Sequence, residues 1–178
     1  DGGTMTLVWS SPEGSNTRSV AWADWDGDAD LDLAVGNNGF NNVYRNDGGT
    51  MTLAWRSPES GDTRSVAWAD WDGDSNIDLT VGDFGGSNYV YHNDPGGIVM
   101  AWRSPNSEPT CAVAWGDADA DDDLDLAVGN YNQPLRIYEH WLVNIDDQDI
   151  ITLTEAWATP GNLNTRALAW GDSDGDGD

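Results

Sequence analysis

The stretch DWDGDADLD, Asp24 to Asp32, sets aspartates at positions 1, 3, 5, 7 and 9 of a nine-residue run. Successive residues of an extended or tightly turned loop point alternately. Asp24, Asp26 and Asp28 can therefore converge on one point, the carbonyl of Asp30 can turn toward it, and Asp32 can close the set from the next strand. Such a set offers only hard oxygen ligands, the demand of calcium; magnesium, which wants a stricter octahedron, comes second. Zinc is disfavoured because no His or Cys lies in the run. The plain alternative is a solvated acidic turn. Recurrence separates the two readings. The stretch returns as DWDGDSNID from Asp70 and DADADDDLD from Asp117, and begins again as DSDGDGD from Asp172, after 46, 47 and 55 residues. Carboxylates packed this closely repel one another unless a cation sits among them.

The elements that position these loops repeat with them. Trp22, Trp68, Trp115 and Trp170 keep one register, and Trp9, Trp55, Trp102 and Trp157 keep another. The repeats run about 1–46, 47–93, 94–149 and 150–178, the last truncated, and the third is lengthened by EHWLVNIDDQD, 139–149. Gly, Asn, Asp, Ser and Pro break the chain too often for long helices, and short β-branched and aromatic runs lie between the breaks. The first complete unit predicts strands at 18–23, 31–36, 41–46 and 50–55, with SerPro-type turns leading to the next unit. Four short strands per repeat of this length read as a blade of a β-propeller, in an all-β chain. Three complete blades are expected at about 17–57, 63–104 and 110–158, with partial blades at both ends: an outer strand at 4–9 and an inner strand at 166–170. The chain then reads as a single propeller, or a fragment of one, over 1–178, and self-association could complete a ring. The Trp22 series falls on the first strand of each unit, where packing between blades is its simplest role.

Composition removes several classes of function. The 178 residues hold 32 acidic and 7 basic side chains, all arginine, for a formal net charge of -25. Nucleic-acid binding and attachment to anionic membranes need clustered basic residues, so both are disfavoured. No apolar run is long enough to span a bilayer, so no membrane insertion is expected. Eleven Trp, five Tyr and two Phe argue against disorder. The lone Cys111 excludes an intrachain disulfide and reads as a small buried residue.

These repeats resemble the FG-GAP and VCBS-type repeats of integrin alpha-chain propellers and of secreted bacterial proteins. The resemblance implies a β-propeller with calcium between the first and second strands of each blade. Carried over, the side-chain ligands are Asp24, Asp26, Asp28 and Asp32, then Asp70, Asp72, Asp74 and Asp78, then Asp117, Asp119, Asp121 and Asp125. Asp30, Asn76 and Asp123 would ligate through their carbonyls, and Asp172, Asp174, Asp176 and Asp178 form a fourth site without its closing residue. The family usually has Gly at the sixth position. Ala29, Ser75 and Asp122 stand there instead, so a left-handed backbone at that point would be strained, unless the loop turns at Gly27 and Gly73.

The resulting expectation is a non-catalytic, calcium-stabilised binding or adhesion module, extracellular or at the cell surface, with a protein or glycan ligand. A lectin is the first alternative, with Trp25, Trp71, Phe40, Phe84 and Tyr131 as candidate sugar-stacking rings beside Asn37, Asn38 and Asn130. Core padding is the competing role for those rings. A propeller domain of a polysaccharide-degrading enzyme is the second alternative. His92 and His140 look unrepeated, and no nucleophile–base pair or phosphate loop stands out. Arg18, Arg64 and Arg166 recur at the start of first strands and could pair with carboxylates there.

Overall fold

The computed structural model describes residues 6–145 and 148–171, and all its regular structure among these is β. The elements are β1 (Asn16–Ala23), β2 (Asp32–Asp47), β3 (Thr50–Ala69), β4 (Asp78–Asp83), β5 (Tyr89–Asp94), β6 (Gly97–Arg103), β7 (Thr110–Gly116), β8 (Asp125–Gln133), β9 (Arg136–Ile145), β10 (Gln148–Ala158) and β11 (Leu163–Asn164). They form two antiparallel sheets, one ordered β1-β2-β3-β4-β5-β6 and one ordered β10-β9-β8-β11, with β7 on β8.

The predicted four-strand units are visible as up-and-down pairings. In the third unit β7 pairs with β8, β8 with β9 and β9 with β10. The second unit repeats this with the end of β3, then β4, β5 and β6. Two expectations differ in detail. The connector RSPESGDT is not a turn: it stays extended inside β3, because Phe40, Gly39 and Asn38 at the β2 bend pair with Ser60, Gly61 and Asp62. The segments 6–9 and 166–170 are not ladder-paired strands, although 166–170 packs its side chains against β7 and β8. Residues 139–145 and 148–149 of the insertion lengthen the β9–β10 pairing.

The core lies between units, since each sheet is too small to bury its own faces. One cluster joins Ala34 and Val43 of the first unit to Val66, Leu79, Val81 and Tyr91 of the second. The next joins Val90 and Trp102 to Val113, Leu126, Val128 and Tyr138. The same ring contact closes each junction edge-on: Trp9–Tyr44 at 5.0 Å, Trp55–Tyr91 at 4.9 Å and Trp102–Tyr138 at 5.2 Å between centroids. The inner tryptophans take the packing role expected of them. Trp68 Nε1 donates to the Ala21 carbonyl (3.1 Å), Trp115 Nε1 to Thr80 Oγ1 (2.9 Å) and Trp170 Nε1 to the Ala114 carbonyl (3.2 Å). Trp22 of the first unit is half exposed. A glycine in each second strand permits the close approach: a Cβ on Gly82 would stand 2.9 Å from Val113 Cγ1, and one on Gly36 2.8 Å from Thr63 Cγ2.

Trp102 concentrates this packing, because it is buried, stacks edge-on with Tyr138 and donates to the Leu153 carbonyl at 3.0 Å. Trp102→Ala is expected to cost about 3–5 kcal/mol in urea denaturation. A loss below about 1 kcal/mol would mean that the junction does not hold the units together.

Candidate functional site

The acidic runs from Asp24, Asp70 and Asp117 each form the loop between the first and second strands of their unit, as the spacing predicts. The first aspartate folds the loop over itself. Asp24 accepts the N–H groups of Gly27 (2.9 Å) and Ala29 (3.0 Å), Asp70 that of Ser75 (3.0 Å), and Asp117 those of Ala120 (2.7 Å) and Asp122 (3.0 Å). The fifth position accepts from the seventh: Asp30 N–H to Asp28 (2.9 Å), Asn76 to Asp74 (2.8 Å) and Asp123 to Asp121 (3.0 Å). The loop turns left-handed at both the fourth and sixth positions. φ is 77° at Gly27 and 74° at Ala29, 73° at Gly73 and 72° at Ser75, 62° at Ala120 and 72° at Asp122.

The ninth position anchors the loop. Asp32, Asp78 and Asp125 are 0–1% exposed. One oxygen of each accepts the N–H of the loop's second residue: Trp25 (3.0 Å), Trp71 (3.4 Å) and Ala118 (2.8 Å). The other accepts an N–H from the third strand: Asn46 (2.8 Å), Asn93 (2.7 Å) and His140 (3.1 Å). Burial pushes the Asp78 carboxyl up to about 7.

One oxygen from each of Asp24, Asp26 and Asp32 lies within 4.8 Å of the others, and the same holds for Asp70, Asp72 and Asp78 and for Asp117, Asp119 and Asp125. Positions 1, 3 and 9 are thus brought together three times. Asp28 and Asp121 are not in those trios, while Asp74 is grouped with Asp72 and His92. Asp30 also turns a carboxylate oxygen to the Gly48 N–H at 2.7 Å. Asp172, Asp174, Asp176 and Asp178 lie outside the described residues. The donor set fits a hard divalent cation: it is all oxygen, and Asp70 Oδ1 is a buried acceptor with no hydrogen-bond partner.

Sequence reading missed what faces the loops. The histidine itself does not repeat, but its position does: with Tyr44, Tyr91 and Tyr138 as the frame, Arg45, His92 and Glu139 share one third-strand position. His92 Nε2 is 3.2 Å from both Asp72 and Asp74, and Arg45 Nε is 3.8 Å from Asp26. The conserved frame of VYRND and VYHND could have revealed this. His140 takes the next position, that of Asn46 and Asn93; its Nδ1 is 3.1 Å from Asp123 of the third loop, and its ring meets Trp71 edge-on at 5.9 Å.

The candidate stacking rings have diverse settings. Trp71 is buried in the core, whereas Trp25 is half-buried. Trp25 lines a pocket of about 420 Å³ between the first and second acidic loops, with Asp24, Asn76, Asn93 and Asp94. Phe40, Phe84 and Tyr131 are covered by guanidinium groups, Arg56 at 4.2 Å, Arg64 at 3.5 Å and Arg166 at 5.3 Å from the ring centres. Arg18 and Arg64 both reach Asp62, at 3.6 and 3.0 Å. Cys111 is half-buried, near the Pro109 carbonyl.

Residues 24–81 match the family model described as an FG-GAP-like repeat, in agreement with the resemblance read from the acidic loops. The matched segment begins at the first acidic loop and ends within β4. No curated protein matches the chain. Among solved structures, a chain in "Chaetomium thermophilum Polycomb Repressive Complex 2 bound to GSK126" is similar with a TM-score of 0.54 at 11% identity. The likeness covers 82% of this chain and 33% of that one, so this chain spans about a third of that chain's length. At such identity it speaks to fold alone.

The sixth loop position carries measurable strain. Ala29→Gly and Ser75→Gly are each expected to stabilise the protein by about 0.5–1 kcal/mol, and Gly27→Ala to destabilise it by about 1 kcal/mol, in chemical denaturation. Equal stabilities across all three would show that the loops do not hold the left-handed turns.

Proposed function

We propose that the chain is a calcium-stabilised, non-catalytic binding module built as a β-propeller or a section of one, working outside the cell. The observation that carries this is the threefold convergence of carboxylates from positions 1, 3 and 9 on loops of one backbone shape. Calcium would be held by Asp24, Asp26 and Asp32, by Asp70, Asp72 and Asp78, and by Asp117, Asp119 and Asp125. Asp28, Asp74 and Asp121 and the carbonyls at Asp30, Asn76 and Asp123 complete each set. The bound ion supplies charge: it offsets carboxylate repulsion in a chain of net charge -25. Millimolar calcium outside cells fills even weak sites of this type, which supports an extracellular setting. The FG-GAP-like match over 24–81 supports the blade reading, in which the inter-unit clusters are blade-to-blade packing.

Thermal unfolding followed by Trp fluorescence, in EDTA and in calcium, tests this. A site holding calcium at 100 times its dissociation constant gains about 2.7 kcal/mol. Three filled loops should raise the midpoint by many degrees, with a smaller rise in magnesium. No calcium-specific rise would sink the metal reading.

A second reading is a lectin, favoured by the pocket beside Trp25, whose ring borders the amide and carboxylate groups of Asn76, Asn93 and Asp94. Such a site pairs an apolar face with polar groups for sugar hydroxyls. A glycan array should then give signal that Trp25→Ala abolishes. Trp71→Ala is the poorer probe, because its buried ring supports the core. Signal that survives Trp25→Ala would move glycan binding elsewhere.

A further inference from the structure

The second unit departs from its neighbours at one buried position. Asn37 and Asn130 hold corresponding second-strand positions in the first and third units, both buried. Thr17 Oγ1 donates to Asn37 Oδ1, and Thr110 Oγ1 to Asn130 Oδ1, each at 2.9 Å. Their amide nitrogens donate onward to the carbonyls of Phe40 (2.9 Å) and Pro134 (2.8 Å). The second unit has Asp83 there, 7% exposed. A carboxylate has no proton to donate. The hairpin is rebuilt to suit it: the Gly86 N–H donates to Asp83 Oδ1 at 2.7 Å. Gly61 makes room for the other oxygen, since a Cβ there would stand 1.7 Å from Asp83 Oδ2.

This rearrangement leaves a hydroxyl unused. Thr63, the counterpart of Thr17 and Thr110, is 1% exposed and its Oγ1 has no hydrogen-bond partner. Thr63 and Asp83 line a polar cavity of about 70 Å³, together with Glu59, Ser60 and Ser87. That volume exceeds the roughly 30 Å³ that one water occupies in the liquid. Nearby Asp62 is matched by Arg64 at 3.0 Å and Arg18 at 3.6 Å. Among the described residues no cationic side chain forms an ion pair with Asp83 or Glu59. The Glu59 carboxylate accepts the Tyr91 hydroxyl, at 2.5 Å, while its backbone carbonyl accepts from Ser57 Oγ at 2.7 Å. The cavity therefore carries two carboxylates without a counter-charge, beside an unpaired hydroxyl oxygen.

We propose that this cavity is a cation site of a different kind from the acidic loops, taking one hard divalent cation on Asp83, Glu59 and Thr63 Oγ1. It sits at the far end of β4 from Asp78, five residue steps or about 16 Å away along the strand. Its filling is independent of the loops, so the proposal stands or falls apart from the loop assignment. The other two junctions have asparagine in place of the aspartate and do not form such a site.

Calcium chloride titrations of the 178-residue chain, by calorimetry at pH 7, test it with Asp83→Asn and Thr63→Val. Asp83→Asn restores the residue that the sister units carry, so it should fold; near-ultraviolet circular dichroism checks this. It is expected to remove one calcium equivalent and leave the remaining affinities unchanged. Thr63→Val should weaken that same equivalent by about tenfold, the loss of one oxygen ligand. Asp72→Asn, in the second acidic loop, should leave it intact. If Asp83→Asn binds as many equivalents as the parent with the same affinities, the cavity holds water and the proposal is overturned. Loss of the same equivalent in both Asp83→Asn and Asp72→Asn would also overturn it. Binding that survives only in the cavity would instead refute the loop assignment and uphold this one.

Discussion

Three buried carboxylates tie this structure together. Asp32, Asp78 and Asp125 each spend one oxygen on the N–H of their own loop and the other on the N–H of the third strand. Loop, first hairpin and third strand thereby become one piece. Removing such a carboxylate strands two backbone donors, and an unpaired buried donor costs about 1–3 kcal/mol. The anchor also fixes where the exposed aspartates stand. Asp24 and Asp26 meet Asp32 because the loop between them is pinned at both ends, through Asp24 at its start and Asp32 at its close. A solvated acidic turn needs no such clamp, since water satisfies its donors.

The anchored units have little core of their own, and stability comes from stacking. Each junction combines a second-strand glycine, an inner tryptophan and an edge-on Trp–Tyr pair. Those features depend on one another. Gly82 lets Val113 close in, and that approach brings Trp115 Nε1 to Thr80. Serine side chains add to the joint: Ser19 and Ser65 accept the N–H groups of Val66 and Val113, both at 3.1 Å. Energetics of this kind are those of a repeat array, in which each interface adds a similar increment.

Much of this was legible from residues alone. The repeat, the strand order and the Trp22 series follow from spacing, because a periodic sequence must build a periodic contact. The loops' first, third and ninth aspartates follow from ligand chemistry. What escaped was set by backbone and neighbours. The sequence leaves the left-handed turn open between the sixth position and Gly27 and Gly73; the loops turn at both, and hydrogen bonds to the first aspartate hold Ala29, Ser75 and Asp122 there. The burial of Trp71 depends on Trp115 and His140 of the following unit, long after it in the chain. The contact of His92 with the acidic loop was missed because residue type was compared instead of register; the tyrosine frame places it with Arg45 and Glu139.

That last error points to how a repeat should be read. Where units share a backbone, a substitution at one register position is a controlled change, with the sister units as the reference. Trp25 and Trp71 against Ala118 leaves the third loop without a ring at its second position. Arg45, His92 and Glu139 set a cation, an imidazole and a carboxylate beside otherwise similar aspartates. The three loops therefore differ in field although they agree in geometry, and a cation held there would sense that difference through Coulomb interaction at distances of a few ångströms. Asp83 against Asn37 and Asn130 is the same kind of departure at a buried site, where it costs more and so signifies more. A surface exchange of amide for carboxylate is nearly free. At 7% exposure it demanded a new glycine donor and left a threonine unpaired. Chemistry particular to this protein is to be sought at such positions, against the periodic background that the anchoring aspartates maintain.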